Sequence, residues 1–156
     1  MKNSKDHIKM LQKNRKAYFN YEVVEDLECG ISLTGTEVKS IRDGRFSFGD
    51  SYAAIKDGNL ELIGLTIQPY THGNIHNHEP NRTRRLLAHK RQIRQLRRKV
   101  DEKGFTLAPT AIYLRGNLVK VQVSLCRGKQ LHDKRNTIKA RDMERDAKRE
   151  LKQLNF

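Results

Sequence analysis

Cationic side chains are the chemically most informative residues of this sequence, and they are concentrated in one stretch. Residues 82–103 contain ten Lys and Arg against two acidic residues. A basic run is often only a solvated face, but cations at this density repel one another unless a phosphate backbone supplies the counter-charge and releases its own counterions. The stretch therefore predicts a nucleic-acid-binding surface. RNA is favoured over DNA, because the sequence contains no recognition-helix or zinc-finger framework.

Two other patterns could carry out chemistry on a substrate, and both are incomplete. Gly44 and Gly49 have the spacing of a phosphate-binding loop, but Asp50 stands at the lysine position and would repel phosphates. His132 and Asp133 are adjacent, so one rarely orients the other, and no positioned nucleophile or Gly-rich turn accompanies them. We therefore expect neither a nucleotide hydrolase nor another hydrolytic enzyme.

A histidine-containing loop is the candidate metal site. His72, His76 and His78 precede Glu79, and these residue types can bind a transition metal. The neighbouring residues are Gly, Asn and Pro, however, and histidines in such loops are usually solvated. We therefore expect no metal and no other cofactor.

Length and composition limit the class of protein. The chain has 156 residues, of which 36% are hydrophobic, and a formal net charge of +14. This size fits one domain with a tail, and the low hydrophobic content indicates that one part lacks a core. Cys29 and Cys126 match no disulfide or zinc pattern. Because no apolar stretch suits a signal sequence or a membrane span, we expect a soluble, cytoplasmic monomer with acidic partners and no membrane partner.

The charge is distributed unevenly. Residues 17–81 contain ten acidic residues against four Lys and Arg, in contrast to the basic stretch that follows. A protein that only neutralised the charge of a nucleic acid would need bulk positive charge without any asymmetry. The uneven distribution therefore predicts a defined positive surface that orients a polyanion.

The first half of the chain is predicted to form strands and turns. Residues 17–68 show a loose apolar alternation interrupted by glycines. A short helix is predicted over residues 36–42, with Thr34 or Thr36 as its N-cap. Residues 69–81 are polar and aperiodic, which predicts a loop.

Two β-hairpins are predicted from their turn residues. The first covers residues 52–67 around Asp57-Gly58-Asn59, and the second covers residues 105–125 around Arg115-Gly116-Asn117. Both turns contain residues that tolerate positive φ, as tight hairpins require.

A cationic helix is predicted between the hairpins. From about His89, the apolar residues Ile93, Leu96 and Val100 fall on one helical stripe, and Gly104 ends the pattern. The remaining positions are mostly Lys and Arg.

The sequence predicts three regions. Residues 1–16 form a basic N-terminal extension, residues 17–128 an RNA-binding domain, and residues 129–156 a basic tail. The apolar stripe of the tail is narrow, so we expect it to be disordered when free and to become helical, from about residue 136, on a partner.

Several ordered blocks of sequence are specific enough to indicate a family. They are Asn14-Arg15-Lys16-Ala17, residues 30–42, Asp50-Ser51-Tyr52, residues 82–87 and residues 128–135. Together they resemble the bacterial small protein B family over about residues 14–150. The resemblance implies a mainly β fold with flanking helices (α+β), built on a closed oligonucleotide-binding β-barrel.

The resemblance also implies a function. Members of the family bind transfer-messenger RNA (tmRNA) and carry it to ribosomes stalled without a usable codon. We therefore expect this chain to bind the tRNA-like domain of tmRNA and to act as an RNA-binding protein, not as an enzyme, in tagging and releasing incomplete peptides.

Motif matching implies RNA contacts at Glu28, Leu86 and Lys120. Lys120 can neutralise a phosphate, Glu28 can accept hydrogen bonds from base or sugar donors, and Leu86 can pack on an unstacked base. Leu86 could equally belong to the core, and Glu28 could be an ordinary surface acid. The predicted RNA-binding set is Glu28, Arg82, Arg84, Arg85, Leu86 and Lys120.

The tail block resembles the family segment that enters the ribosomal decoding site and the empty mRNA channel. Stacking of His132 on a base of the small-subunit rRNA and cationic contacts to rRNA phosphates would suit this role. The residues concerned are Gly128, Lys129, His132, Asp133, Lys134 and Arg135.

Two competing classes make different predictions. A structural ribosomal protein would share the basic surface and tail, but it would co-purify stoichiometrically with all ribosomes. An RNA-modifying enzyme would require a cofactor loop or a catalytic cluster, and this sequence has neither.

Overall fold

The computed structural model describes residues 7–70, 77–128 and 138–146. The strands are β1 (Ile8–Lys13), β2 (Tyr21–Ile31), β3 (Phe46–Ser47), β4 (Tyr52–Lys56), β5 (Asn59–Ile63), β6 (Thr66–Ile67), β7 (Arg84–Leu87), β8 (Thr106–Arg115) and β9 (Leu118–Gly128), and the helices are α1 (Arg15–Asn20), α2 (Gly35–Arg42) and α3 (Lys90–Lys103). Residues 138–146 are also helical. None of the described helices is long and apolar enough to span a membrane.

The main sheet closes on itself. Its antiparallel neighbours follow the order β4-β5-β7-β2-β9-β8, and the pair Ala53–Leu107 returns from β8 to β4. β1 adds to β8 outside this ring, and β3 pairs with β6 in a separate small sheet. The prediction of a mainly β fold with flanking helices is confirmed, and the ring is compatible with an oligonucleotide-binding fold.

The core lies inside the ring and follows the two-residue period of the strands. Five of its side chains are almost completely buried, namely Leu60, Leu62, Ile112, Val121 and Leu125. The alternation is clear on β5, where Leu60 and Leu62 are buried and their neighbours are half-buried, whereas most of β8 and the end of β9 are buried on both faces. Each such side chain contributes about 1.5–3 kcal/mol by leaving water.

The turns and helix ends explain why the elements stop where they do. Asp57 and Gly58 have φ of 52° and 77°, and Gly116 has φ of 60°, so both predicted hairpins are confirmed at their turns. Thr34 is the N-cap of α2 and forms a capping box with Glu37. Of the two N-cap candidates in the sequence, Thr34 and not Thr36 is therefore the N-cap.

The predicted cationic helix corresponds to α3. Ile93 and Leu96 are buried against the ring, Val100 packs at the margin of the core, and Gly104 ends the helix with φ of 64°. The sequence therefore located this helix correctly.

The N-terminal region differs from the sequence-based expectation. Residues 8–13 form β1 on the edge of the sheet, although the sequence placed them in an extension. Asn14 caps α1 by accepting from the Ala17 N–H, and its amide donates to the Pro109 carbonyl at 2.8 Å. The pattern of β1 is weak because most of its side chains are exposed, and its partner strand lies about a hundred residues away.

The C-terminal helical segment, residues 138–146, lies within the part of the tail that the sequence predicts to become helical, from about residue 136. All nine of its side chains are exposed. The Arg141 guanidinium lies 5.6 Å from the ring centroid of Phe19 in α1. This cation–π contact joins the segment to α1.

Candidate nucleic-acid interface

Glu28 and Lys120 lie on the same outer face of the ring. Their neighbours Cys29 and Val121 are register partners and are fully buried, so strand alternation turns Glu28 and Lys120 outward. Lys120 pairs with Gly30 on β2 and with Tyr113 on β8. Three adjacent strands thus position this part of the surface.

These residues form the wall of an open groove of about 630 Å³. The opposite wall is the junction of β7 and α3, where Leu87, Ala88, His89 and Gln92 line the groove. The groove brings the predicted contacts Glu28 and Lys120 together beside the start of α3. A helix N-terminus carries a partial positive charge, so this junction favours an anion such as phosphate.

Arg115 occupies the groove as well, and the sequence had not assigned it to the site. Its Nε donates to Glu28 Oε1 at 2.8 Å and its Nη2 donates to Glu28 Oε2 at 3.0 Å. The hydrogen bond from Arg115 holds the pKa of Glu28 below its ordinary value, with smaller contributions from Tyr113 and Lys120. Burial, followed by the Glu28 charge, raises the pKa of Tyr113. Glu28 is therefore ionised and already satisfied at neutral pH.

Lys120 is half-buried at the centre of the groove wall. Among the described residues, no carboxylate forms an ion pair with it, whereas Glu28 is bound to Arg115. An unpaired ammonium in a concave site is the arrangement that a phosphate neutralises. The sequence-based role of Lys120 is thus geometrically possible.

β7 requires a correction of the predicted RNA-contact set. Arg84 is completely buried and Leu86 is 2% exposed, so neither side chain reaches RNA in this structure. Alternation turns their neighbours outward: Arg85 is exposed and Leu87 is 53% exposed. Leu86 is a core residue, which was the alternative that the sequence had left open.

Leu87 is the groove residue that the sequence analysis missed. It pairs with Gly30, and a Cβ on Gly30 would lie only 3.2 Å from the Leu87 Cβ. The absence of a side chain at Gly30 therefore allows Leu87 to lie close over β2. An exposed leucine beside a lysine and a helix N-terminus has the chemistry to pack on an unstacked base. The sequence alone offered no signal for Leu87, because it does not show which of the two adjacent leucines faces the core; the burial of Leu86 settles it, since the next residue on a strand faces the other way.

Arg82 and Arg84 bind one buried carboxylate. Arg82 and Arg84 both form salt bridges with Glu37, which is fully buried in α2. Arg84 also donates to the Leu65 carbonyl at 2.7 Å and to the Pro80 carbonyl at 3.0 Å. We call Glu37, Arg82 and Arg84 the buried arginine cluster. It attaches α2 to the segment that leads into β7.

Burial and hydrogen bonding oppose each other in this cluster. Burial alone would raise the pKa of Glu37, but Arg82, the Thr34 N–H and Arg84 together lower it below its ordinary value. Burial lowers the pKa of Arg84 in spite of Glu37, yet an arginine remains protonated at neutral pH. Both partners are therefore charged inside the protein, and each requires the other.

Arg85 and the exposed face of α3 extend the positive surface. Arg85 faces outward and donates to the Asn59 side chain at 2.8 Å. On α3, Arg97 lies 3.7 Å from Asp101, and Lys99 forms an exposed salt bridge with Glu25. Exposed pairs of this kind are weak and exchange readily with other anions. The other basic residues of α3 are Lys90, Arg91, Arg94, Arg98 and Lys103, and all of them are exposed.

The histidine loop is only partly described. His72 and His76 lie outside the described residues, whereas His78 uses both ring nitrogens, at 2.8 Å from the Thr36 hydroxyl and 2.9 Å from the Ile67 carbonyl. Within residues 7–70, 77–128 and 138–146, no group of three His, Cys, Asp or Glu side chains is placed to hold a metal.

Most of the predicted tail site is outside the described residues. Gly128 ends β9, is exposed and pairs with Tyr21. The residues on which the structure gives no information are Lys129, His132, Asp133, Lys134 and Arg135.

Comparisons with known proteins extend along almost the whole chain. The family model described as SmpB protein matches residues 11–153. An SsrA-binding protein of Treponema denticola is 47% identical over 95% of this chain and 96% of its own length. An SsrA-binding protein of Gloeothece citriformis is 48% identical over 97% and 99%. A solved chain from "tmRNA-SmpB: a journey to the center of the bacterial ribosome" aligns with a TM-score of 0.65 and 45% identity, covering 77% of this chain and 85% of that one.

Proposed function

The chain belongs to the SmpB protein family, and from this membership we propose that it binds the tRNA-like domain of tmRNA and delivers this RNA to stalled bacterial ribosomes. Relatives of almost the same length are SsrA-binding proteins, SsrA being tmRNA. The observation that carries the proposal is the groove, because it places Lys120, Leu87 and the start of α3 together on one exposed surface.

The chemistry of the groove suits a folded RNA that exposes an unpaired nucleotide. Lys120 and the α3 N-terminus suit phosphate, and Leu87 suits the face of a base. The exposed cations of α3 then continue the contact along the backbone without reading sequence. A tRNA-like domain offers both elements, helical backbone and unstacked loop bases.

The tail is proposed to act on the ribosome and not on tmRNA. In support, residues 129–156 contain nine Lys and Arg against five acidic residues, and every side chain of the C-terminal helical segment is exposed. A tail with this excess of positive charge can enter a channel lined with phosphate. In this proposal residues 129–156 occupy the decoding site and the mRNA channel.

The protein is further proposed to act by binding alone, in the cytoplasm, where ribosomes and tmRNA are found. Among the described residues that line the groove, no nucleophile is activated by a neighbouring base. The carboxylate of Glu28 is bound to Arg115 and is not placed to act as a base for Lys120. Binding and positioning are sufficient for the proposed role.

RNA binding is tested by titrating the full chain with a tRNA-like domain transcript at several salt concentrations. About 5–8 phosphate contacts predict a log–log slope of about −4 to −7. A hairpin RNA of equal length without the tRNA-like fold is the control, and we expect it to bind at least about tenfold more weakly. A salt-independent affinity, or equal affinity for both RNAs, would contradict the proposal.

The role of the tail is tested by removing residues 129–156. We expect the truncated protein to fold and to keep its affinity for the tRNA-like RNA, because the groove and the core precede the tail. Tagging of peptides on stalled ribosomes should be lost, and the Lys134→Ala, Arg135→Ala double variant should show the same separation. Full tagging by the truncated protein would rule out this division.

A structural ribosomal protein is the alternative function. It predicts co-purification with every ribosome in equal amounts, whereas the proposed function predicts enrichment on stalled ribosomes that carry tmRNA. Sequencing the RNA that co-purifies with the protein distinguishes the two.

A further inference from the structure

We propose that Glu28 is a positioning residue: it holds the Arg115 guanidinium in the groove, and Arg115, not Glu28, contacts the RNA phosphate. This inference rests on the proposed function and changes the chemistry that the sequence had predicted for Glu28. It also adds to the site a residue that no sequence pattern had indicated.

The geometry of the pair supports this assignment. Arg115 donates through Nε and Nη2 to the two oxygens of Glu28 at 2.8 and 3.0 Å, a bidentate arrangement that fixes the plane of the guanidinium. A guanidinium has five N–H donors, so three of them remain. Both side chains are 35% exposed, and both line the groove. The remaining donors are therefore available to a ligand.

The pair also spans a strand. Glu28 is on β2 and Arg115 is on β8, and β9 lies between these two strands with Lys120 facing the same groove. The backbone ladder alone does not determine where the long Arg115 side chain lies, because an exposed arginine has many rotamers. The carboxylate of Glu28 selects one orientation. Arg115 and Lys120 then form two neighbouring positive groups on one wall.

Glu28 itself is poorly suited to contact RNA. Both of its oxygens already accept from Arg115, and the arginine hydrogen bond keeps the pKa of the carboxyl below its ordinary value. An ionised carboxylate repels the phosphates that the basic surface attracts. Glu28 therefore contributes to RNA affinity indirectly, through the Arg115 guanidinium that it holds in place.

The test is a double-mutant cycle with the full chain and the tRNA-like RNA, using the wild type, Glu28→Gln, Arg115→Ala and both changes together. We expect Arg115→Ala to weaken binding about tenfold and to make the salt slope less steep by about one phosphate contact. Glu28→Gln should weaken binding about threefold, because a misplaced guanidinium loses part of its contact. In the Arg115→Ala background, Glu28→Gln should instead strengthen binding about twofold, because it removes an unpaired negative charge.

A second ion pair on the same sheet is the matched control. Arg127 on β9 donates to Glu22 on β2 at 2.8 Å, and neither residue lines the groove. Glu22→Gln removes one negative charge without displacing a groove arginine, so it should leave the affinity unchanged or raise it slightly. The same substitution is thus expected to weaken RNA binding at position 28 but not at position 22. Thermal unfolding of every variant establishes that it is folded.

Two outcomes would overturn the inference. Equal losses from Glu28→Gln in the presence and in the absence of Arg115 would mean that Glu28 contacts RNA directly. An Arg115→Ala variant with wild-type affinity and salt slope would remove Arg115 from the interface. Failure of the wild type to bind the RNA would, by contrast, contradict the proposed function itself.

Discussion

Two arginine–carboxylate groups in this protein have the same chemistry and opposite surroundings. In the buried arginine cluster, Glu37 and Arg84 are both fully buried and their charges have no access to water. In the pair on the groove, Glu28 and Arg115 are each 35% exposed. The first group connects α2 to β7 in the interior, whereas the second faces a possible ligand. Burial, and not residue type, decides which group serves the fold and which can serve recognition.

The difference has an energetic basis. A buried ion pair is costly to form, but removing one partner leaves an uncompensated charge in the interior. An exposed pair contributes little to stability, because water and salt screen it. The two groups should therefore respond to substitution in different assays.

The largest expected effect is that of Glu37→Gln. This change leaves Arg84 without its counter-charge, and we expect it to lower the free energy of unfolding by about 3–5 kcal/mol. Urea denaturation of the wild type and the variant measures the change. Glu22→Gln, which disrupts an exposed ion pair between β2 and β9, is the control, and its free energy of unfolding should stay within about 0.5 kcal/mol of the wild type. A Glu37→Gln variant as stable as this control would contradict the distinction between the two groups.

The second prediction concerns adjacent leucines of β7 that face opposite sides. Leu86→Ala removes a core side chain and should cost about 2–5 kcal/mol of stability. Leu87→Ala should cost less than about 1 kcal/mol but weaken binding of the tRNA-like RNA about fivefold, because it removes the apolar surface of the groove. Chemical unfolding and RNA titration of both variants separate the roles. The reverse pattern would mean that Leu86 is the RNA contact.

The third prediction concerns acid stability. The pKa of Glu37 in the folded protein is lower than its ordinary value of 4.5. The contribution of Glu37 to the free energy of unfolding is therefore complete above a pH of about 4.5. It is lost as the pH falls through the lower pKa of the folded state. Glu28 contributes in the same direction but less, since it is exposed. Between pH 7 and pH 3, the free energy of unfolding should fall less steeply for Glu37→Gln than for the wild type. Parallel curves for the two proteins would contradict this account.

The smallest expected effect on stability is that of Lys120→Ala. Because Lys120 forms no ion pair with the described residues, its removal should change the free energy of unfolding by less than about 0.5 kcal/mol. Affinity for the tRNA-like RNA should fall about five- to tenfold, with a salt slope less steep by about one contact. Lys56→Ala, at an exposed position beside the β4–β5 turn, is the matched control for loss of one lysine. Equal effects of the two variants on RNA binding would exclude a specific role for Lys120.

Much of the fold could be predicted from the sequence, because its signals are local. Asp57-Gly58 and Gly116 determine hairpin turns through their φ angles, and Thr34 caps α2 through a residue three positions away. The stripe of Ile93 and Leu96 determines which face of α3 is buried. Each of these choices depends on neighbours within a few residues, so the sequence alone contains the information.

The candidate site depended on distant parts of the chain. Glu28 and Lys120 were predicted from the family resemblance, but only the register of β2 with β9 places them on one wall. The sequence does not show which face of β7 points inward, since two arginines are followed by two leucines and either alternation is possible. Contact with β2 and β5 decides that Arg84 and Leu86 are buried and that Leu87 is exposed.

Only the tertiary structure joins Arg115 to Glu28, two residues that are 87 positions apart. By itself, the sequence determined the turns, the caps, the amphipathic helix and the concentration of positive charge, because each arises from residue type and short spacing. Closure of the ring decided which charges are buried with a partner and which remain at the surface. The physical reason is that solvation of a charge is set by everything packed around it, and most of those neighbours are distant in sequence.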